Sequence, residues 1–368
     1  MAGAEEARPN AGNWLRRALN SPFLGSLASF LLAIGAAALL ISLAGFDAGE
    51  GYSAMLRGIF GSRMSLSDVL ARSTPLLLTG LAVAVPLRAG LFNVGAEGQL
   101  LLGALLAAVV GMLPGIPAWL HIPLTLGLGS LAGALFGMVP AYLKARFRAH
   151  EVITTIMLNY IVTLLTGYLV NYPLHPPDEM LPATEIIAAS AQLPRLVRGS
   201  QLTIGLFVAI ACAFVLHLLL QRSVMGYEIR AVGLNAEAAE AKGIRRTRVW
   251  LLAMAIGGAM SGLAGATEVS GVQLRFLEGF SPGYGFAGIA VALMGYANPL
   301  GVILAAHVLG AIRTGALTMD RTTSIPADFV TVIQGLILVF LSTPGLLRLL
   351  IEKRSPATGS LPIEDLTS

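Results

Sequence analysis

The amino-acid sequence predicts an all-α polytopic membrane protein of about ten transmembrane helices, with both chain ends on the cytoplasmic side. Three observations carry that expectation. The 368 residues are 55% hydrophobic, with a mean hydropathy of +0.76. Only 12% are charged, about half of the roughly 25% usual in soluble domains. The apolar residues also fall in repeated runs of about 20, the length that crosses a bilayer core. An ordinary soluble enzyme, a disordered chain and a nucleic-acid binder are excluded by this balance. The net charge of +4 identifies no partner by itself, because in such a chain basic residues report topology.

After an N-terminal cytoplasmic segment, 1–22, the first span covers 23–46 and contains no charged residue. That run is longer than the ~7–15 residues of a signal-peptide core, so it reads as a retained helix. Further spans follow at 72–88, 91–113, 120–143, 151–172, 202–220, 249–269, 284–297, 299–318 and 326–350. The third is irregular because it holds Asn93, Glu97 and Gln99. The eighth is short and hemmed by glycine and proline. The transmembrane domain then runs over 23–350, with an external loop at 173–201, a cytoplasmic loop at 221–248 and a cytoplasmic tail at 351–368.

With the N-terminus inside, 16 of the 24 Lys and Arg fall on the cytoplasmic side, seven fall outside, and Arg313 lies within a span. All three lysines, Lys144, Lys242 and Lys353, are inside. The bias follows the positive-inside rule and favours an even number of crossings. Ten spans divide into two groups of five, and an odd number per half inverts the second half relative to the first. The irregular third and eighth spans then occupy corresponding places, both rich in glycine. Close helix packing explains those glycines as well as broken helices do.

Several chemistries are absent from the sequence. No G-x-x-x-x-G-K-[ST] loop exists to bind ATP, and the five histidines form no H-x-x-x-H or H-E-x-x-H pattern. No serine has an evident histidine or lysine partner for nucleophilic catalysis. The lone cysteine, Cys212, excludes a disulfide framework. With no catalytic centre or metal ligand set, the remaining classes are transport, a channel or a membrane scaffold.

The loop 221–248 is the most informative segment, with six basic and three acidic residues. Asn235 suits an N-cap, Glu237 falls in the first turn, Ala236–Lys242 is rich in alanine, and Gly243 suits a C-terminal stop. Its small residues give a narrow profile that could enter a groove on another protein; a surface helix closing the loop is the competing reading. The stretch Ser223–Ile244 spells S-x-x-G-x-x-I-R-A-V-G-x-N-x-x-A-A-x-x-x-G-I. This resembles the coupling-loop signature of ABC importer permeases, within the branched-chain amino acid, simple-sugar and nucleoside superfamily. Two further segments, GLFNVGAEGQLLLGA at Gly90–Ala104 and HEVITTIMLNYI at His150–Ile161, resemble the nucleoside branch. The likeness covers about 65–350.

That resemblance implies a short cytoplasmic helix docked in a separate ATPase subunit, with Gly233, Asn235, Ala238, Ala239 and Gly243 in the coupling role. It implies ATP used by partner subunits and no cofactor in this chain. It also implies a second permease (the same or a sister chain), an extracytoplasmic substrate-binding protein, and a bacterial cytoplasmic membrane location.

Polar groups within spans are costly and mark a cavity or a partner. Glu97, beside Asn93, Gln99 and two glycines, suits either a polar solute or the joining of two helices. Asn159 and Tyr160 in the fifth span carry the same two readings, and Phe286 suits stacking on a base or interfacial anchoring. An uncharged, hydrogen-bonding solute fits this set, nucleosides before simple sugars before branched-chain amino acids. An ion-coupled carrier using Glu97, Glu268 and Arg313 as a proton path is the rival class, and it has no need of the capped loop.

Overall fold

The computed structural model describes residues 22–326 together with positions 329, 332, 335 and 336. The N-terminal segment 1–21, nearly all of the expected tenth span and the tail 351–368 lie outside the described residues. The chain divides into one unit of residues 1–48 and 331–368 and a second of residues 49–330. The first contributes the helix α1 (Pro22–Leu43), whose 22 residues coincide with the first expected span. The rest of the fold belongs to the second unit.

Helix α2 (Ala48–Phe60) was not anticipated. At 13 residues it is too short to cross a bilayer. Its buried Gly51, Ala54, Met55, Gly58 and Ile59 recur at helical spacing, so it is an amphipathic helix with one face inward. Helix α3 (Arg63–Arg88) starts at Ser62, whose side chain accepts from the Ser65 N–H at 3.0 Å. It carries Pro75 and Pro86 in its interior, and each proline leaves the carbonyl four residues earlier without its helical donor. Helices α4 (Ala96–Gly111), α5 (Ala118–Phe147), α6 (Glu151–Asn171) and α7 (Gly205–Arg222) follow. Then come the short α8 (Val224–Leu234) and α9 (Ala236–Ala241), the long α10 (Arg246–Glu268), α11 (Tyr284–Met294) and α12 (Pro299–Thr322). A π-helical turn, Val269–Gln273, extends α10.

Among the described residues, six helices are long and apolar enough to span: α3, α5, α6, α7, α10 with its π turn, and α12. The third and eighth expected spans are helical over only 16 and 11 residues. At 1.5 Å per residue these reach ~24 and ~16 Å, short of a ~30 Å core. Irregular backbone precedes both, at 89–95 and 274–283. Such backbone survives at membrane depth only where protein surrounds it.

What surrounds it is a close-packed set of helices. The stripe Gly129, Gly133 and Gly137 on α5 meets Gly258 and Gly262 on α10, and a Cβ at Gly133 would strike the Gly258 carbonyl. Lipid offers no hydrophobic drive for helix pairing, so this backbone-to-backbone approach supplies the dispersion contact that holds the pair. Ser130 donates to the Ala259 carbonyl at 3.0 Å along the same seam. Around it, α10 packs on α4 and α5, while α3 packs on α11 and α12. α3 and α10 touch each other, and so do α4 and α11. The two triplets α3-α4-α5 and α10-α11-α12 therefore make exchanged contacts.

The segment 173–201 is ordered by backbone pairing with the stretch after α10. Thr184 N–H donates to Phe276, Ile187 to Leu274 and Leu193 to Ser270 at 2.8–2.9 Å. His121 ties it to α5 through Ser190 at 2.8 Å.

Candidate functional site

The two short helices meet at their N-terminal ends, and neither is capped by its own preceding residue. Gly95 before α4 has no side chain to offer, and Gly283 before α11 sits at φ +76° for the same reason. The missing acceptors come from elsewhere. Asn159 on α6 accepts the Gly98 N–H at 2.9 Å and donates to the Val94 carbonyl at 2.9 Å. Glu97, in the first turn of α4, accepts the Gly285 N–H of α11 at 2.6 Å. An acidic group at two helix N-termini is favourably placed against both dipoles. Gly285 is required by contact, since a Cβ there would strike the backbone of Glu97.

Asn93 and Gln99 complete the junction. Their amides exchange two hydrogen bonds, at 2.9 and 3.0 Å. Asn93 also donates at 3.1 Å to the Ala82 carbonyl, the acceptor that Pro86 left without a helical donor. Ser261 of α10 donates to the Ala96 carbonyl. In this structure the side chains of Asn93, Glu97, Gln99 and Asn159 all bond protein groups, which fits the helix-joining role that the sequence left open beside a solute role. The other two expected pathway residues lie apart: Tyr160 is exposed on α6, and Phe286 is half exposed on α11.

The loop at 221–248 contains the capped helix that its sequence suggests, α9, one residue shorter than expected, and the unanticipated α8 before it. Asn235 accepts from the N–H groups of Glu237 and Ala238 at 3.0 and 2.9 Å, and Gly243 follows at φ +88°. Ala238 is exposed, whereas Ala239 is buried within this chain. Ala239 therefore holds α9 to its own protein, and the outward profile belongs to Glu237, Ala238 and Glu240. Gly233 lies against the Arg88 carbonyl at the end of α3, with no space for a Cβ. Arg88 in turn donates to the carbonyls of Ala297 at 2.9 Å and Tyr296 at 3.2 Å. Those two residues form the turn between α11 and α12, both at positive φ. A contact chain thus runs from the loop through Gly233 and Arg88 to the far end of α11. Beside α9, a groove of about 650 Å³ is lined by Lys144, Arg148, Glu237, Arg246 and Trp250 among others.

A second cavity, of about 290 Å³, lies at the end of α10 remote from that loop. Glu268 is 22 residues along α10 from Arg246, or ~33 Å by helical rise. Its lining includes Arg72, Gln201, Glu268, Gln273, Phe280 and Tyr284. Of these the sequence reading raised Glu268 and did not raise Arg72, Gln201 or Gln273. Glu268 and Arg313 form no close ion pair: Glu268 shares the cavity with Arg72, and Arg313 lies over the Tyr284 ring at 5.5 Å. Glu151, at the start of α6, pairs with Lys144 at 2.8 Å.

Long apolar helices, two half-helices joined inside them and a capped loop at one face define a multi-pass membrane permease. Residues 65–342 match the family described as branched-chain amino acid transport system / permease component, and the chain belongs to that family. It is 38% identical to the guanosine ABC transporter permease protein NupP of Bacillus subtilis, over 90% of this chain and 97% of the relative. It is 36% identical to the glucose ABC transporter permease protein TsgB13 of Haloferax volcanii, over 90% and 88%. The nucleoside ABC transporter permease protein NupB of Lactococcus lactis is 33% identical over 90% and 93%. As a member of this family the chain is a transport subunit and not an enzyme.

Proposed function

We propose that this chain is the membrane-spanning subunit of an ATP-binding-cassette importer that carries nucleosides inward across a bacterial cytoplasmic membrane. The observation that carries the reading is the likeness to a guanosine permease over 97% of that relative's length, joined to a capped α9 with an exposed small face. ATP is bound and hydrolysed by separate subunits, whose cleft receives Glu237, Ala238 and Glu240. Two permeases, the same or sister chains, stand side by side, and an extracytoplasmic binding protein delivers the solute. Closure of the ATPases pushes α9, and the contacts of Gly233 and Arg88 pass the displacement to α11.

Ten spans, with both ends cytoplasmic, arrange as two inverted halves of five. The exchanged contacts of α3-α4-α5 and α10-α11-α12 support that arrangement. The half-helices α4 and α11 are then equivalent elements meeting at mid-membrane. The glucose permease relative, at 36% identity, supports a sugar as the second reading. Copurification tests the assignment: the chain expressed with its neighbouring genes should retain an ATPase subunit in detergent. Isolation of an active carrier with no ATPase would refute it.

A further inference from the structure

We propose that the cavity at the outer end of α10 is a binding site for the nucleoside during its passage, an inference that rests on the nucleoside-permease reading. The argument starts from which polar groups are free. At the half-helix junction, the side chains of Asn93, Glu97, Gln99 and Asn159 are all engaged by protein groups. A solute could take them only by breaking the joint between α4 and α11. The cavity differs. Arg72, Gln201, Glu268 and Gln273 line it, and none of their side chains makes a hydrogen bond or close ion pair with a described residue.

Glu268 is the sharpest of the four, because it is 4% exposed and still has no donor. A carboxyl group held among protein with Arg72 as its charge neighbour and no hydrogen-bond donor is costly, and beside a cavity it suits a donor brought by a ligand. Ala71 also lines the cavity, and Pro75 has no N–H for its carbonyl.

The chemistry of the lining selects the class of ligand. Arg72 and Glu268 offer a donor and an acceptor in the lining of the same cavity, which suits the hydroxyls of a sugar. The two glutamine amides each donate and accept, as the edge of a purine or pyrimidine requires. Phe280 and Tyr284 supply ring faces, and stacking tolerates any base. Each ring also has a protein neighbour: Phe280 packs edge-to-face with Phe276 at 5.4 Å, and Arg313 lies over Tyr284 at 5.5 Å. A volume of about 290 Å³ lies at the small end of ligand pockets, which holds one nucleoside and no nucleotide chain.

The test uses the whole complex, with ATPase subunits and binding protein, carrying Gln273→Cys in a Cys212→Ser background. Modification of the new thiol by a membrane-impermeant reagent is timed alone, with guanosine and with glucose. Guanosine should slow it by about fivefold or more, as occupancy of a site protects its lining, while glucose leaves it unchanged. Equal rates in all three conditions overturn the site, and equal slowing by glucose overturns its ligand class. In parallel, Phe280→Ala and Glu268→Gln should lower nucleoside uptake by about tenfold, with ATP hydrolysis stimulated by the binding protein held within about twofold. Unchanged uptake in both variants overturns the site while leaving the permease reading intact. Failure of the unsubstituted complex to move nucleoside overturns that reading and the site with it.

Discussion

Replacing Asn159 by leucine tests the half-helix joint at its most exposed point of logic. The two side chains share a branched four-atom skeleton, so the change removes two hydrogen bonds and adds only the extra bulk of the methyl groups. Those bonds are the Gly98 N–H to Oδ1 and Nδ2–H to the Val94 carbonyl, each 2.9 Å long. Both backbone groups then remain buried at membrane depth with no water to satisfy them. Each orphaned group costs about 1–3 kcal/mol, giving roughly 2–6 kcal/mol for the pair. That is a large fraction of a domain's typical stability of about 5–15 kcal/mol. Thermal unfolding of the detergent-solubilised protein, followed by the loss of the monodisperse peak, should shift down by about 5 °C or more. Asn159→Asp keeps the acceptor for Gly98 but loses the donor to Val94, so half of the joint's bonding remains. If Asn159→Leu melts within about 1 °C of the unsubstituted protein, the cap supplied from α6 is not what holds α4, and the reasoning fails.

The other predictions concern different links of the account. Gly133→Val should abolish folded protein in the membrane, because the added side chain meets the Gly258 carbonyl and Gly262; size-exclusion profiles of a fluorescent fusion read this, and a normal peak would contradict the glycine seam. Arg88→Ala should preserve insertion yet lower ATP-driven uptake by about tenfold, since it cuts the link from Gly233 to the Tyr296–Ala297 turn. Unaltered uptake in Arg88→Ala would show that the push travels another way. Ala238→Arg should block ATPase association without changing the melting temperature, whereas Ala239→Arg should lower the melting temperature, because only Ala239 is buried in its own chain. Identical behaviour of the two variants would contradict the stated orientation of α9.

What was legible in the sequence divides along physical lines. Helix α9 was readable because its determinants are local: Asn235 caps N–H groups two and three residues away, and Gly243 ends the helix where a side chain would be strained, whereas α8 before it was not anticipated. The long spans were readable from composition, since lipid demands about 20 apolar residues wherever the chain crosses. The polar residues of the third span were visible as costly, but their use was not. Asn159 acts on a residue 61 positions earlier and Glu97 on one 188 positions later. No local pattern encodes such partners. Arg72, Gln201 and Gln273 escaped because each is unremarkable in its own stretch and gains meaning only from the other five groups around the cavity. Helix α2 escaped because Glu50 and Arg57 interrupt its apolar residues, whose spacing fits one face only.

Reconstituted transport tests the central claim most directly. Vesicles containing this permease, its ATPase subunits and binding protein are loaded so that ATP reaches the cytoplasmic face, and labelled guanosine is added outside. The account predicts accumulation that requires ATP and the ATPase subunits, and that is lost with Ala238→Arg. Guanosine accumulation driven by a proton gradient alone, with no ATPase present, would contradict it.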